Sequence, residues 1–79
     1  MKFTIKSYGI AKDILGERHV IIETGAGTVG ELRSWLTTRY PSLAELRSLF
    51  IAVNQNYAAD EVALSESDEI VLIPPVSGG

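Results

Sequence analysis

The residues with the clearest chemical potential in this sequence are the final six, Pro74-Pro75-Val76-Ser77-Gly78-Gly79. They follow directly after an apolar run at residues 70–73 that has the pattern of a strand. Proline fixes the backbone torsion φ and directs the chain away from a sheet, and a glycine pair can enter a slot too narrow for any side chain. Six residues span about 20 Å when extended, at about 3.3 Å each. The ending therefore predicts a carboxylate that can be delivered deep into another protein.

A second interpretation of the same ending is a frayed chain end or a flexible linker, since both are often rich in glycine. The diproline and Val76 are unlike flexible-linker composition, which favours the first interpretation. Glycine and a chain end both favour disorder. We therefore expect residues 76–79 to be mobile in the free protein and ordered in a complex.

The composition describes one small globular domain. With 79 residues the chain is near the lower size limit for a self-sufficient core, and 46% hydrophobic residues argue against disorder. It has no cysteine for disulfides or thiolate ligands, and no apolar run approaches the roughly 20 residues of a membrane span. The net charge of −3 argues against nucleic-acid binding. We expect a cytoplasmic protein that contacts neither membrane nor nucleic acid.

The order of the predicted elements is strand, strand, helix, strand, short strand, strand, which is typical of an α+β domain. One principal helix is expected to pack on one face of a mixed sheet. The folded domain is predicted over residues 1–73, with residues 74–79 as an extended tail. The individual predictions are strands at 2–8, 19–23, 49–53 and 69–73, helices at 10–15, 28–40 and 42–46, and a short edge strand within 57–64.

Local signals mark where several of these elements begin or end. Thr28 and Glu31 have the spacing of a capping box, in which the Thr28 hydroxyl caps the Glu31 amide and the Glu31 carboxylate bonds back. Ser42 and Glu45 repeat the pattern before the short helix. Residues 54–56, Asn-Gln-Asn, have the composition of a turn after the third strand.

The final strand is apolar at every position from 70 to 73, a pattern typical of a strand covered on both faces. One principal helix can cover only one face. Alternation from Glu69, which should point outward, assigns Ile70 and Leu72 to the core and Val71 and Ile73 to the other face. An uncovered apolar face beside the tail predicts a partner surface. The alternative is that a short helix or a loop covers it.

Residues 25–30, Gly-Ala-Gly-Thr-Val-Gly, match the spacing of a dinucleotide-binding fingerprint, and they follow a strand and open a helix. The acidic residue that should close the next strand is missing, because that strand leads into Asn54. The chain is also too short for a dinucleotide crevice. We interpret the motif as a flexible turn followed by a helix cap.

The remaining titratable residues do not form a catalytic set. His19 is the only histidine and cannot build a metal site alone. Glu66, Asp68 and Glu69 are predicted to form a solvated entrance to the final strand. No residues combine a nucleophile with a base and an orienting group. We therefore predict no metal site, and a carrier of a reactive group rather than a catalyst acting alone.

Several segments of the sequence share the pattern of a known family. They are Val53-Asn54-Gln55, Asp68-Glu69-Ile70, the ending from Ile73 to Gly79, the opening strand and the Thr28-Val29 helix start. In these segments the sequence resembles the small subunit of molybdopterin synthase, and the resemblance covers nearly the whole chain. Ubiquitin-type modifiers usually carry an arginine before Gly-Gly, and thiamine-pathway sulfur carriers usually lack the diproline. One departure is Ser67, where the family often has glycine, which affects turn geometry and not chemistry.

This resemblance implies a β-grasp (ubiquitin-like) fold and a sulfur-carrier cycle. A ubiquitin-activating-enzyme-like adenylyltransferase would use ATP to adenylate the carboxylate of Gly79, and sulfur from a donor protein would replace AMP to give a thiocarboxylate. The tail would then enter the active site of the large subunit and donate sulfur to a cyclic pterin precursor. The chain itself would hold no cofactor stably. The implied reactive residues are Gly78 and Gly79, and the implied partner-binding residues are Val71, Ile73, Pro74, Pro75, Val76 and Ser77.

Three other functions stay open. The chain could carry sulfur for another acceptor, such as thiamine or thiolated tRNA. It could be a ubiquitin-like protein modifier that is joined to other proteins through the same carboxylate. From a different class, it could be a non-catalytic adaptor whose sheet face binds a partner while the tail is inert.

Overall fold

The structure is a computed structural model that describes residues 1–75. The predicted order of elements is confirmed within that part of the chain. The strands are β1 (Lys2–Ser7), β2 (His19–Glu23), β3 (Phe50–Val53), β4 (Asn56–Tyr57) and β5 (Ile70–Ile73), and the helices are α1 (Gly9–Leu15), α2 (Val29–Arg39) and α3 (Pro41–Ala44).

The strands form one mixed sheet in the order β2-β1-β5-β3-β4. Strand β5 lies in the centre, parallel to β1 and antiparallel to β3, while β1–β2 and β3–β4 are antiparallel pairs. The buried residues of all three helices join the same core cluster as the inner-face residues of the sheet. The helices therefore lie together on one face, and the predicted α+β architecture is confirmed. The core contains Phe3, Ile5, Ala11, Leu32, Leu36, Leu43, Ile51, Ile70 and Leu72.

The two predicted capping boxes have different outcomes. At α2 the Thr28 hydroxyl accepts a hydrogen bond from the Glu31 amide at 3.2 Å, as predicted. The Glu31 carboxylate, however, accepts from the amide of Gly27 at 2.8 Å rather than from that of Thr28. The box at Ser42 was predicted wrongly, because α3 begins at Pro41, with Tyr40 as its N-cap and no side-chain cap. Proline is well suited to the first helical position, and this start places Ser42 inside the helix.

The hairpin between β3 and β4 is tighter than the sequence predicted. Val53 pairs with Asn56, so the loop has only two residues, and both have positive φ: 52° at Asn54 and 74° at Gln55. That is the geometry of a type I′ turn, which suits the twist of an antiparallel hairpin. Asn56, predicted as turn, is therefore the first residue of β4. Residues 57–64, in which a short edge strand was predicted, contribute Tyr57 to β4 and one isolated bridge from Ala63 to Thr28.

A polar cluster ties this turn to the entrance of β5. The Asn54 side-chain amide donates to Asp68 Oδ1 at 2.9 Å, and its oxygen accepts from the Glu69 amide at 2.9 Å. The other Asp68 oxygen accepts from the Ser65 amide at 2.7 Å. The Ser65 amide, followed by the Asn54 amide group, stabilises the charged carboxylate and lowers the pKa of Asp68. The register of β5 is thus anchored at its start by charge-assisted hydrogen bonds.

Asp68→Asn is expected to lower the free energy of unfolding by about 1 kcal/mol near neutral pH, because the charged acceptor is lost. A carboxyl whose pKa is depressed by folding stabilises the protein above its unfolded pKa, ordinarily 3.8, and that stabilisation disappears as the pH falls below this value. The difference between wild type and Asp68→Asn should therefore shrink under acid conditions. Urea unfolding from about pH 7 to about pH 2 measures it.

The matched control is Glu61→Gln, which neutralises an exposed carboxylate that accepts no hydrogen bond from the residues of the structure described. Its difference from wild type should stay small over the same range. If the difference in the free energy of unfolding between wild type and Asp68→Asn stays constant or grows in acid, the stabilising role assigned to the charged Asp68 carboxylate is wrong.

Candidate functional site

The final strand divides its side chains between the two faces of the sheet as its alternation predicted. Ile70 and Leu72 have no exposed surface and lie in the core, whereas Val71 and Ile73 are half-buried on the face away from the helices. The predicted parity is confirmed. The predicted roles of Val71 and Ile73 in partner binding stay predictions.

Three residues of neighbouring strands extend this apolar face. Phe50 pairs with Ile73, Ala52 pairs with Val71, and Tyr57 pairs with Ala52, so all five side chains project from the same side. The rings of Phe50 and Tyr57 stack with centroids 5.3 Å apart and planes 5° from parallel. Phe50 is 49% exposed and Tyr57 is 67% exposed. We call these five residues the outer patch.

No helix within residues 1–75 covers the outer patch, although Ala52 at its centre is itself only 5% exposed. Helices α1, α2 and α3 all contribute buried residues to the core on the opposite face. The alternative that a short helix covers this face is therefore wrong for the part of the chain described. A contiguous, partly exposed apolar surface of this kind is typical of a binding surface.

Phe50 and Tyr57 were not predicted as site residues. Residues 50–53 are apolar at every position, so the sequence of β3 carries no alternation that would assign Phe50 to a face. Tyr57 follows a turn whose length was not predicted. The register of β3 against β5, which pairs residues distant in sequence, places Phe50. The register of β3 against β4 places Tyr57.

An ion pair borders the outer patch. Lys6 lies beside Val71 in the parallel β1–β5 register, and its Nζ donates to Glu69 Oε2 at 3.0 Å. The hydrogen bond to Glu69 and the negative charge of that carboxylate raise the pKa of Lys6. Because the pair is solvent-exposed, salt screens it. It defines a polar rim on the β1 side of an apolar surface.

The chain leaves β5 next to the end of β1. Pro74 and Pro75 are half-buried, and Pro74 Cγ lies 3.7 Å from the point where a Cβ on Gly9 would stand. Gly9 has a φ of 56°, in the left-handed region that favours glycine. The chain therefore passes Gly9 as it leaves the sheet beside the outer patch. Val76, Ser77, Gly78 and Gly79, for which tail and reactive roles were predicted, lie outside the described residues.

The glycine motif at residues 25–30 is a structural cap. The amides of Val29 and Gly30 donate to the carbonyls of Val62 and Asp60, each at 2.9 Å. The amides of Gly27 and Glu31 are used by the capping contacts at Glu31 and Thr28. These donors are the ones a phosphate would need at a helix N-terminus. The interpretation as a turn and a helix cap is confirmed.

The other polar residues singled out lie at the surface. His19 is exposed on β2, and Glu66 is exposed and accepts a hydrogen bond from the Lys2 amide at 2.7 Å. Asp68 and Glu69 are half-buried and engaged in the contacts described above. Of the helices in residues 1–75, none combines the length and apolar character required to cross a membrane.

A five-stranded mixed sheet with β5 parallel to β1 at its centre and helices on one face is the β-grasp, ubiquitin-like class of fold. Solved structures of that class match the whole chain. SAMP1 from Haloferax volcanii superposes with a TM-score of 0.81 at 27% identity, with full coverage of both chains. A complex of subunits 1 and 2 of the molybdopterin-converting factor from Helicobacter pylori matches with a TM-score of 0.69 at 29% identity, again over all of both chains.

The chain belongs to the ThiS family, whose model matches residues 5–79. It is similar to the molybdopterin synthase sulfur carrier subunit of Caenorhabditis briggsae, at 37% identity over 91% of this chain and 90% of the relative. The subunit of the same name from Arabidopsis thaliana is 32% identical over 87% of this chain and 74% of the relative. The resemblance carried by the ending, the final strand and the helix start is confirmed.

The tight contact at Gly30 predicts a large effect of adding a side chain there. A Cβ on Gly30 would lie 3.0 Å from Asp60 Cβ and 3.3 Å from the Asp60 carbonyl oxygen. Gly30→Val should therefore push away the loop that contains Asp60 and lower the free energy of unfolding by about 1–3 kcal/mol. Gly25→Val is the matched control, because a Cβ on Gly25 meets nothing within 4 Å. Equal stability losses in thermal melts of the two variants would show that the approach at Asp60 is unimportant.

Proposed function

We propose that this chain is the sulfur carrier subunit of a molybdopterin synthase, and that it delivers sulfur on the carboxylate of Gly79. The observation that carries the proposal is the outer patch lying beside the exit of the tail. Apolar residues that no described helix covers give a partner a place to bind, and the chain continues from Ile73 at the edge of that surface. Family membership and the names of the relatives support the same function.

The proposed cycle begins with activation. An adenylyltransferase that resembles ubiquitin-activating enzymes joins AMP from ATP to the Gly79 carboxylate, which converts a poor leaving oxygen into a good one. Pyrophosphate leaves in this step. Sulfur at the sulfide oxidation level, supplied by a donor protein, then displaces AMP and leaves a thiocarboxylate. Gly78 and Gly79 present no side chain, so ATP, the sulfur source and the pterin can each approach the terminal carbonyl. In this proposal ATP is bound by the activating enzyme, and the carrier holds no cofactor of its own.

The second stage is delivery to the large subunit. We propose that this subunit binds Val71 and Ile73, with Phe50 and Tyr57 completing the contact. Pro74, Pro75, Val76 and Ser77 then lead the tail into the active site, where sulfur passes to the cyclic pterin precursor. A complex of two converting-factor subunits is known for the Helicobacter pylori protein, which supports a partner of this kind. We place the cycle in the cytoplasm, with neither nucleic acid nor membrane as a partner.

A protein modifier is the second candidate, because the whole fold matches SAMP1 from Haloferax volcanii, which is a small archaeal modifier protein. Incubation with an activating enzyme, ATP and a sulfur source separates the functions by intact mass. A carrier exchanges one oxygen for sulfur, whichever pathway receives it. A modifier gains a conjugated protein, and an inert adaptor gains nothing. Added large subunit and pterin precursor then separate molybdopterin synthesis from sulfur supply to thiamine or tRNA.

Deleting Gly79, or adding one residue after it, is expected to abolish both thiocarboxylate formation and molybdopterin synthesis, because the reactive carbonyl is moved relative to its partners. The fold should be unaffected, since the core lies within residues 3–72. Intact mass and thermal melting measure the two effects. Gly25→Ala is the control for loss of a glycine away from the tail. A variant without Gly79 that still formed the thiocarboxylate and supported synthesis would overturn the carrier mechanism.

Ile73→Asp is expected to weaken binding to the large subunit at least tenfold. Burial of such a side chain is worth about 1.5–3 kcal/mol, and about 1.4 kcal/mol corresponds to a factor of ten. The melting temperature of the free domain should change little, because Ile73 is outside the core cluster. Titration against the large subunit and melting of the free domain should be measured together.

Ile21→Asp is the matched control, since it places the same charge on the same face of the sheet but on β2, at the sheet edge. It should bind the large subunit as wild type does. Tight binding by Ile73→Asp, or equal losses in both variants, would contradict docking on the outer patch.

A further inference from the structure

Strand β2 forms an edge of the sheet whose backbone groups alternate in a definite way. Met1 and Thr24 exchange both backbone hydrogen bonds, at 2.8 and 2.9 Å, and the Ser7 amide donates to the Arg18 carbonyl at 2.8 Å. In an antiparallel pair such mutual bonds recur at every second residue. Val20 and Ile22 therefore direct their amides and carbonyls toward β1. The backbone amides and carbonyls of His19, Ile21 and Glu23 point the other way, toward the free edge of the sheet.

The same three residues carry exposed side chains on the outer face of the sheet. Ile21 is 71% exposed, the highest value among the large hydrophobic residues of the described part of the chain. His19 and Glu23 are exposed on either side of it, two residues away in each direction. An unpaired edge with an apolar residue at its centre, an imidazole at one end and a carboxylate at the other is a template for another strand.

We propose that two copies of the chain associate through β2, which pairs antiparallel with β2 of the second copy about a twofold axis at Ile21. In this register each Ile21 faces Ile21 of the second copy, and each His19 faces Glu23. All three pairs use residues whose backbone groups face the free edge, so the pairing forms six inter-copy hydrogen bonds. The backbone pattern and the side-chain pattern therefore select the same register.

Other registers are less favourable. After a shift by one residue, each residue that faces the free edge stands opposite a residue of the second copy whose amide and carbonyl are already bonded to β1. A shift by two residues puts Ile21 opposite a polar side chain and shortens the paired segment. Pairing of β2 with β4 of another copy uses a strand of two residues, and that contact is not closed by a twofold axis. The centred antiparallel pair is the arrangement in which the edge matches itself.

This association leaves the outer patch free. Strands β1 and β2 separate β5 from the new junction, so the two β5 strands lie five strand spacings apart, about 24 Å. Because the junction is antiparallel, the two chains leave their β5 strands in opposite directions. The pairing goes beyond the sulfur-carrier function and does not depend on it.

The interface is small in comparison with the roughly 1,600 Å² of a typical stable complex. We therefore expect a dissociation constant of about 0.1–1 mM, which corresponds to about 4–5.5 kcal/mol. Sedimentation equilibrium and amide chemical shifts, followed up to about 2 mM protein, cover that range. The concentration-dependent shifts should be largest at the outward amides of His19, Ile21 and Glu23 and smaller at Val20 and Ile22.

Ile21→Asp should weaken self-association at least tenfold, because it brings two carboxylates together at the axis, where paired residues stand about 5.5 Å apart. Thr4→Asp is the matched control. Thr4 is paired with Ile21 on the same face but belongs to β1, which is bonded on both sides. It should associate as wild type does.

A charge-exchange test examines the register itself. His19→Glu should associate at least threefold more weakly than wild type, because two carboxylates then face each other at each end of the pairing. Glu23→Lys alone should not associate more tightly than wild type, because no carboxylate then faces His19. An equimolar mixture of the two variants should regain wild-type association, since every charged pair in the mixed dimer is complementary.

Monomeric behaviour at about 2 mM would overturn the proposal, and so would shifts centred on Phe50, Tyr57 and Ile73, which indicate association through the outer patch. Equal losses in Ile21→Asp and Thr4→Asp, or no recovery in the mixture, would also overturn it.

Discussion

The structure depends on the packing of β5 between β1 and β3. This strand is apolar at all four positions because it serves two surfaces: Ile70 and Leu72 complete the core, while Val71 and Ile73 belong to the outer patch. Its parallel pairing with β1 and antiparallel pairing with β3 hold both halves of the sheet together. A slip of one residue would exchange the two sets of side chains. The Asn54–Asp68 hydrogen bond next to the strand entrance therefore helps fix the core, the outer patch and the point where the chain leaves the sheet.

Patterns of short range were sufficient to predict much of this architecture. Alternation identified β1 and the two faces of β5, and β-branched composition identified β2. The Thr28–Glu31 spacing identified the start of α2. The signals that failed depend on neighbouring residues or on distant partners. Pro41 moved the start of α3 and removed the predicted cap at Ser42, and the left-handed backbone at Asn54 and Gln55 shortened the hairpin. Phe50 joins the candidate site only through its pairing with Ile73, which no local pattern could disclose.

The loop before β5 connects the helical layer to the sheet. Its carbonyls at Asp60 and Val62 satisfy amides at the N-terminus of α2, and Asp60 also accepts a hydrogen bond from Arg33. Helix termini need such partners, which water, side chains or other segments supply. Here the partners come from about 30 residues further along the chain. Gly30, the last glycine of the motif, is therefore explained by close approach of this loop.

The central position of β5 also has a consequence for folding order. The β1–β2 pair and the β3–β4 hairpin can each form from residues close in sequence, but they are joined only by β5. The pairing of Ile5 with Ile70 closes a long stretch of chain, a step that is entropically unfavourable and typically slow. During synthesis the two halves must therefore remain without their shared strand until almost the whole domain has left the ribosome. Closure of the sheet and correct presentation of the tail thus occur in the same folding step.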